Sequence, residues 1–420
     1  MRVLAIGMNY LPESASIGPY TAALATFLQD RGHSVHVVTS FPMAPQWRVW
    51  DGYRGEWFRR EVINGIPVRR TYAYVPADPR RTINRVLYDC SFSVSALAGC
   101  FGDGRYDIVI AISPPLQLGL TGWLVSRLFR VPLFFHIQDL VPDAAIATGL
   151  LSPESLSIRV ARALERFVYR RAAGIGVICQ GFHNNLVAKG LAPDKIHILP
   201  NSIDLNFMRE HVKDNPFRRA HGLASDDIVL MYSGSIALKQ GLEVMVDAAG
   251  LLTDIPKLQF VVVGEGPPLE RLKQRAETRA LQNIHFLPFQ PRESLPEQLG
   301  AADALVITQR RAVTDFAFPG KLLYYMAAAR PVLAAVSADS ETGRFVAAQK
   351  VGLVTPPEDA LAMAQNIRAL LASDMTATGR RSRSVAEQLF DNRTVLPAFE
   401  EVLQSLVRSA GSSAVSGSAK

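Results

Sequence analysis

Two lysines in the second half of the chain stand beside glycines in a way that suits an anion with several oxygens. Lys239 lies in Ser233-Gly234-Ser235-Ile236-Ala237-Leu238-Lys239-Gln240-Gly241, after the apolar run Val229–Tyr232 and just before an expected helix near Gly241. Backbone N–H groups and an ammonium together would meet phosphate oxygens there. The nucleotide-binding P-loop spacing is absent, so a solvated structural lysine is the other reading. Lys321 follows Pro319-Gly320 and precedes Leu322 in the segment Asp315–Met326. A helix starting at that Pro-Gly exposes backbone donors next to the ammonium, which makes a plausible diphosphate cradle. Gly264-Glu265-Gly266 has two glycines without the third that a dinucleotide fingerprint needs, which disfavours a nicotinamide site.

The first half offers a different set. Gly18-Pro19 stands where a first strand and loop give way to a helix over Tyr20–Arg31, so an anion could dock there, or the glycine could merely turn the chain. His136 and Asp139 follow the apolar run Leu133–Phe135, at the carboxyl end of an expected parallel strand, where open α/β sheets bind ligands. No companion ligands at metal spacing accompany them. Asp139 and Asp143 might suggest a glycoside hydrolase, but their spacing does not establish a pair of carboxylates flanking one bond.

Short Val/Ile/Leu runs alternating with helical patterns must position these residues, and that alternation signals parallel sheets covered by helices on both faces. Strands are expected at Val3–Met8, Val35–Thr39, Ile108–Ile112, Leu133–Ile137, Ile175–Ile178 and Ile196–Leu199, with helices near Tyr20–Arg31, Leu116–Phe129 and Glu154–Ala173. A second series follows Pro200–Asp204, with strands at Val229–Tyr232, Leu258–Val263, Ile284–Leu287, Ala304–Ile307, Val332–Ala335 and Leu353–Val354. The expected domains are 1–204 and 205–390, with a helix over 391–408 and a Ser/Ala/Gly-rich flexible tail over 409–420. Pro114-Pro115, Arg127 and Arg130 interrupt the most apolar stretch, which disfavours a transmembrane helix. The three cysteines have no metal or disulfide spacing and suit a reducing, cytoplasmic compartment.

Net charge is +7, and its distribution is uneven. Between Arg48 and Arg105 lie ten arginines, no lysine and six acidic residues, and Arg80, Arg81 and Arg85 precede the apolar Val86, Leu87, Tyr88 and Phe92. This reads as a basic amphipathic edge, and Arg159, Arg162, Arg166, Arg170 and Arg171 form a second basic stripe. Stacking aromatics are not interleaved with these arginines, so no nucleic-acid partner is expected.

The order Gly18, His136-x-x-Asp139, Asn201–Asp204, Gly234…Lys239-Gln240-Gly241, Gly264-x-Gly266 and Pro319-Gly320-Lys321…Arg330-Pro331-Val332 resembles the family 4 retaining glycosyltransferases over nearly the whole chain. Tyr10-Leu11-Pro12-Glu13 and Lys239–Glu243 look most like the bacterial subgroup that builds exopolysaccharide, colanic acid and O-antigen units. The resemblance implies a GT-B fold, two Rossmann-like doubly wound parallel-sheet domains facing a central cleft. It puts the nucleotide-sugar donor mainly in the second half and the acceptor in the first, with retention by same-face attack.

By that resemblance Gly18 approaches the donor phosphates, His136 the transferred sugar and Lys239 the diphosphate. Gly264–Gly266 and His285–Phe289 border the base and ribose. Gly234, Ser235, Phe289, Asp315, Pro319, Gly320, Lys321 and Leu322 complete the expected donor set, with His136, Lys239 and Asp139 at the chemistry. Glu13, Arg80, Arg81 and Arg85 fall on the acceptor and membrane side. Three positions depart from the family pattern: Ser235 replaces a basic residue, and Phe316 and Tyr324 stand about where paired glutamates grip the sugar and ribose. Lysines and helix N-termini together would stabilise the departing diphosphate, so neither an essential metal nor a cofactor is expected. Expected partners are a UDP- or GDP-linked sugar, a glycan or lipid-diphosphate acceptor and the anionic inner membrane surface, which implies peripheral attachment. A nucleotide-sugar epimerase of the same architecture and a non-catalytic sensor are the competing assignments.

Overall fold

The computed structural model describes residues 1–13, 17–44, 46–78, 81–102, 104–147, 149–313 and 318–417. Arg80, Asp315 and Phe316, three of the residues singled out above, lie outside the described residues. Two compact units form, one from residues 1–201 with 395–420 and the other from residues 202–394.

The first unit is built on β1 (Arg2–Ile6), β2 (Ser34–Ser40), β3 (Phe58–Ile63), β4 (Ile66–Thr71), β5 (Ile108–Ser113), β6 (Leu133–Ile137), β7 (Gly174–Val177) and β8 (Ile196–Ile198). They form one sheet in the order β3-β4-β2-β1-β5-β6-β7-β8, parallel except for the β3–β4 hairpin. β5 and β6 are buried along their whole length, as strands covered by helices on both faces must be. Every strand expected in this half is present. The hairpin and the helix Thr82–Gly99 are additional, because β3 alternates exposed and half-buried residues and so lacks a continuous apolar run.

The second unit contains β9 (Ile228–Ser233), β10 (Leu258–Val263), β11 (Ile284–Leu287), β12 (Ala304–Thr308), β13 (Val332–Ala335) and β14 (Gly352–Thr355). Their order is β11-β10-β9-β12-β13-β14, all parallel. Apolar side chains pack on both faces of this sheet. The doubly wound arrangement in each unit is the one the strand–helix alternation predicts.

The helix Asn392–Gly417 packs Val395, Leu396, Phe399 and Leu403 into the core of the first unit. It continues through residues 409–417, where the composition suggests a flexible tail. Ser409 and Ser412 donate their hydroxyls to carbonyls one turn back, at Ser405 and Arg408, so serine side chains join the local helix hydrogen bonding there.

Candidate active site

In the second unit the glycines serve close approach. Gly234, Gly264 and Gly266 all have positive φ, at 138°, 151° and 154°. A methyl group on Gly264 would lie 2.0 Å from the Gly234 carbonyl oxygen, and one on Gly266 would lie 1.8 Å from that of Ile236. Only glycine allows the loops after β9 and β10 to touch in this way. Gly234 N–H donates to Val263 and Ile236 N–H to Glu265, which fixes the contact.

Lys321 reaches into this loop pair. Its Nζ lies 3.7 Å from the centre of the Tyr232 ring and would lie 3.1 Å from a β-carbon on Gly234. The ammonium is sealed from solvent and makes no hydrogen bond among the described residues. Burial, with the nearby charge of Lys239, pulls its pKa from 10.5 to about 7. The Tyr232 face stabilises the cation only in part, so three N–H donors await an acceptor. An anion supplies what the site lacks.

Two residues that sequence reasoning missed hold this arrangement. Tyr325 accepts from Ser233 N–H at 2.8 Å through its hydroxyl, which donates back to the Ser233 carbonyl at 3.0 Å, so the end of β9 is clamped to the helix Lys321–Ala327. The faint signal is its position one turn after Lys321. Arg310 donates to the Leu238 carbonyl from its side chain and to the Lys239 carbonyl from its backbone, and it pairs with Glu243 and Glu358. It thereby shapes the turn that leaves Lys239 exposed.

Other expected donor residues divide. Ser235 is exposed, and Phe289 is 41% exposed just beyond the end of β11. His285 sits within β11 and is engaged by Gln259 at 2.9 Å, so only the residues after Leu287 pass the strand end. Pro319 and Gly320 precede a helix of seven residues, whose small dipole leaves the ammonium as the main attraction. Leu322 corrects the expectation. Its side chain is fully buried and its N–H bonds to Pro319, so it packs beneath the cradle and offers nothing to a ligand.

In the first unit the polar candidates already have partners. Glu13 is buried, accepts from the N–H groups of Met43 and Ala44 at 2.7 and 2.8 Å, and accepts from Asn9 at 2.9 Å. It shapes the loop after β2 and does not face an acceptor. Gly18 opens its helix tight against the backbone of Tyr10 and Glu13, where an added β-carbon would lie only 3.3 Å from their atoms.

His136 is buried against Phe134 and Phe399, with a ring–ring distance of 5.0 Å to the latter. Burial drops its pKa to about 3, which keeps it neutral, and its Nδ1 has no partner. Gln138 donates to its Nε2 at 2.8 Å and exchanges two hydrogen bonds with Asn201. Asp139 is exposed, so the two expected neighbours stand in opposite environments. Burial raises the Asp143 carboxyl, but the hydrogen bond and charge of Lys189, with Arg162, hold it below the usual carboxylate range. It is an ion-pair centre and does not form an acid–base pair with Asp139.

The basic edge also needs correction. Tyr88 and Phe92 are core residues, whereas Ile83, Val86, Leu87 and Val94 are the exposed apolar groups of that helix. Arg85 lies over the Trp47 ring at 4.5 Å, and Arg81 pairs weakly with Asp78 at 3.6 Å. Arg70 is fully buried, where it binds Glu61 and the carbonyls of Ser40 and Leu11. In the second stripe Arg162 turns inward to Asp143 and Glu165, while Arg159, Arg166, Arg170 and Arg171 remain exposed.

Comparison with known proteins finds a glycosyl transferase 4-like domain over residues 16–202 and a glycosyl transferases group 1 domain over residues 213–386. The chain is 31% identical over 407 residues to the putative colanic acid biosynthesis glycosyl transferase WcaI of Escherichia coli, covering 95% of this chain and 98% of that one. It is 23% identical to the probable glycosyltransferase WbjE of Pseudomonas aeruginosa, covering 72% and 76%. Among solved structures, Anabaena HepE in complex with UDP superposes with a TM-score of 0.70 at 18% identity, covering 96% and 100%. Sucrose-phosphate synthase from Thermosynechococcus elongatus superposes with a TM-score of 0.76 at 18% identity, covering 97% and 99%.

Proposed function

Since the chain belongs to the group 1 glycosyltransferases and has their GT-B fold, we propose that it moves a sugar from a nucleoside-diphosphate donor to a lipid-diphosphate-linked glycan, with retention and without an essential metal. The buried ammonium of Lys321, beside a glycine loop and without a hydrogen-bond partner among the described residues, is the observation that supports this reading most. As the bond from the anomeric carbon to the diphosphate oxygen breaks, negative charge grows on the departing group, and fixed cations in a dry pocket lower that barrier. Lys321 supplies one cation and the exposed Lys239 a second. The acceptor oxygen bonds to the anomeric carbon from the same face, and its proton passes to the leaving phosphate. No carboxylate nucleophile is required, consistent with the ion-paired state of Asp143. His136, neutral and packed, would position rather than attack, through Gln138 and Asn201, to which its Nε2 is linked.

The WcaI relative carries a colanic acid assignment and the HepE neighbour holds UDP, so exopolysaccharide assembly and a uridine donor are the favoured specifics. The exposed arginines of the first unit suit peripheral attachment to the anionic inner membrane face.

Calorimetric titration of UDP and GDP, with chelator present, into wild-type and Lys321→Met protein tests the donor site. One nucleotide should bind, and the substitution should weaken it roughly 10- to 100-fold. Failure of both nucleotides to bind would sink the donor assignment. Release of free nucleoside diphosphate only when acceptor is present separates transfer from epimerisation or simple sensing.

A further inference from the structure

Two neighbouring helices of the first unit, Leu118–Phe129 and Leu156–Arg171, carry arginines that no acid answers. Arg127, Arg130, Arg159, Arg166, Arg170 and Arg171 are all exposed, and none pairs with a carboxylate among the described residues. The one acid within the two helices, Glu165, is buried and engaged by Arg162 and Lys189. Exposed arginines elsewhere find acids, as Arg48 and Arg54 do with Asp51, Arg219 with Asp214 and Arg368 with Asp254.

These cations stand among exposed apolar side chains. Leu120, Leu124 and Leu128, at every fourth residue of one helix, are 38, 37 and 66% exposed. Leu156 and Val160, one turn apart on the other, are 73 and 60% exposed, and Phe167 continues their stripe. The two stripes meet where Trp123 and Phe167 cross edge to face at 4.8 Å. The Arg171 guanidinium lies 6.0 and 5.4 Å from the centres of those two rings, so a cation sits on the apolar face itself. Arg127 belongs by its spacing to the stripe of Leu120 and Leu124, and Arg159, Arg166 and Arg170 form the row beside Val160 and Phe167. A second copy of this face would set like charges against each other, and a protein interior would have to bury them uncompensated. An anionic bilayer offers hydrocarbon beneath a layer of phosphates, which matches apolar tips between arginines whose long stems keep the charge at the headgroups.

We propose that the outer faces of these two helices dock on an anionic bilayer, with the leucines, Val160 and the Trp123–Phe167 pair entering the boundary between headgroups and acyl chains while the unpaired arginines hold lipid phosphates. No helix among the described residues is long and apolar enough to cross a membrane, so the contact lies in the plane of the surface. This deepens the peripheral attachment proposed above and rests on it, with the contact moved from the Arg81–Arg85 edge to the layer of these two helices. The helix Leu118–Phe129 begins just past the carboxyl end of β5, the end at which open α/β sheets receive ligands. A docked enzyme thus meets the glycan of a lipid-linked acceptor without extracting its chain.

Flotation of the full-length protein on vesicles of phosphatidylcholine alone, and of phosphatidylcholine with phosphatidylglycerol in equal parts, tests the face. The wild type should float only on the anionic vesicles. Val160→Glu and the double variant Arg166→Glu/Arg170→Glu should each partition about tenfold less. Ile83→Glu, the same kind of change at an exposed residue of the helix Thr82–Gly99, should float as the wild type does. Bromine-labelled phosphatidylcholine in the anionic vesicles should quench the tryptophan fluorescence, and Trp123→Phe should lose most of that quenching. Urea unfolding and UDP titration of each variant check that it is folded. Flotation of Val160→Glu at the wild-type level, loss of flotation in Ile83→Glu alone, or quenching unchanged by Trp123→Phe would overturn this face and leave peripheral attachment standing. A wild type that floats on neither composition would sink the face and the attachment together, with UDP binding judging the donor site separately. A wild-type dimer that Val160→Glu converts to monomer, without flotation, would make the face a self-association surface and overturn the proposal.

Discussion

Three charged side chains of the first unit and one lysine of the second stand in opposite environments. In the first, Glu13, Asp143 and Arg70 are each surrounded by partners from the chain itself. In the second, Lys321 is buried with a ring face and, among the described residues, no acceptor. A buried charge with a complete set of partners belongs to the architecture, because removing either side leaves the other uncompensated. A buried charge without one is a standing cost to folding that a ligand can offset. Lys189, paired with Asp143 and Glu165 in the first unit, and Lys321 in the second therefore carry different meanings, and satisfaction, more than charge, distinguishes framework from site.

The largest effect that would break this comparison is steric. Gly266→Ala places a methyl group 1.8 Å from the Ile236 carbonyl oxygen at a φ of 154°, so the β9 and β10 loops must separate. A loss of roughly 2–4 kcal/mol is expected in urea unfolding, along with loss of nucleotide binding. A variant that unfolds like wild type would show that the loop contact is dispensable.

The next effect sharpens the contrast by sign. Glu13→Gln keeps an Oε1 for the Met43 and Ala44 N–H groups but turns an amide donor toward the Nδ2 of Asn9, and should cost about 1–3 kcal/mol while leaving UDP affinity intact. Lys321→Met removes an uncompensated cation and should hold or raise the thermal midpoint at pH 7 while UDP affinity falls. If scanning calorimetry and titration gave the same pattern for both variants, the distinction between framework and site would fail.

The smallest effect is in pH. Lys321 is depressed to about 7 in the native state against an ordinary 10.5, so between these values the unfolded chain holds a proton that the native chain does not. Stability conferred through this group therefore rises with pH across that window. A bound anion favours the charged form, so nucleotide binding takes up a proton. Affinity should fall above pH 7, by at most about tenfold per unit, and the proton uptake should vanish in Lys321→Met. A flat affinity profile between pH 7 and 9 would remove the titration from the site.

Most of the architecture is legible in the order of residues. Apolar runs of strand length mark twelve of the fourteen strands, because parallel strands buried on both faces need Val, Ile and Leu at nearly every position. The β3–β4 hairpin is not legible, since an edge strand with one solvated face has no such run, and its pairing is set by contact with β2. The glycine-and-lysine loops are also local signals: a chain that must approach a diphosphate needs small residues and a cation within a few positions.

What the order of residues cannot express is which long-range partner meets each side chain. Glu13 and Lys321 are equally conspicuous in sequence, yet thirty residues of intervening chain bring Met43 and Ala44 to Glu13, while the fold brings Tyr232 and Gly234 to Lys321 and, among the described residues, no hydrogen-bond acceptor. The helix Thr82–Gly99 makes the same point. Helical spacing groups Arg81, Arg85, Tyr88 and Phe92 on one side, but only packing against β2 and β4 decides that Tyr88 and Phe92 enter the core while Arg81 and Arg85 stay exposed and Ile83, Leu87 and Val94 look outward. Local periodicity determines the elements, and desolvation against distant neighbours determines which of their groups are left with chemistry to do.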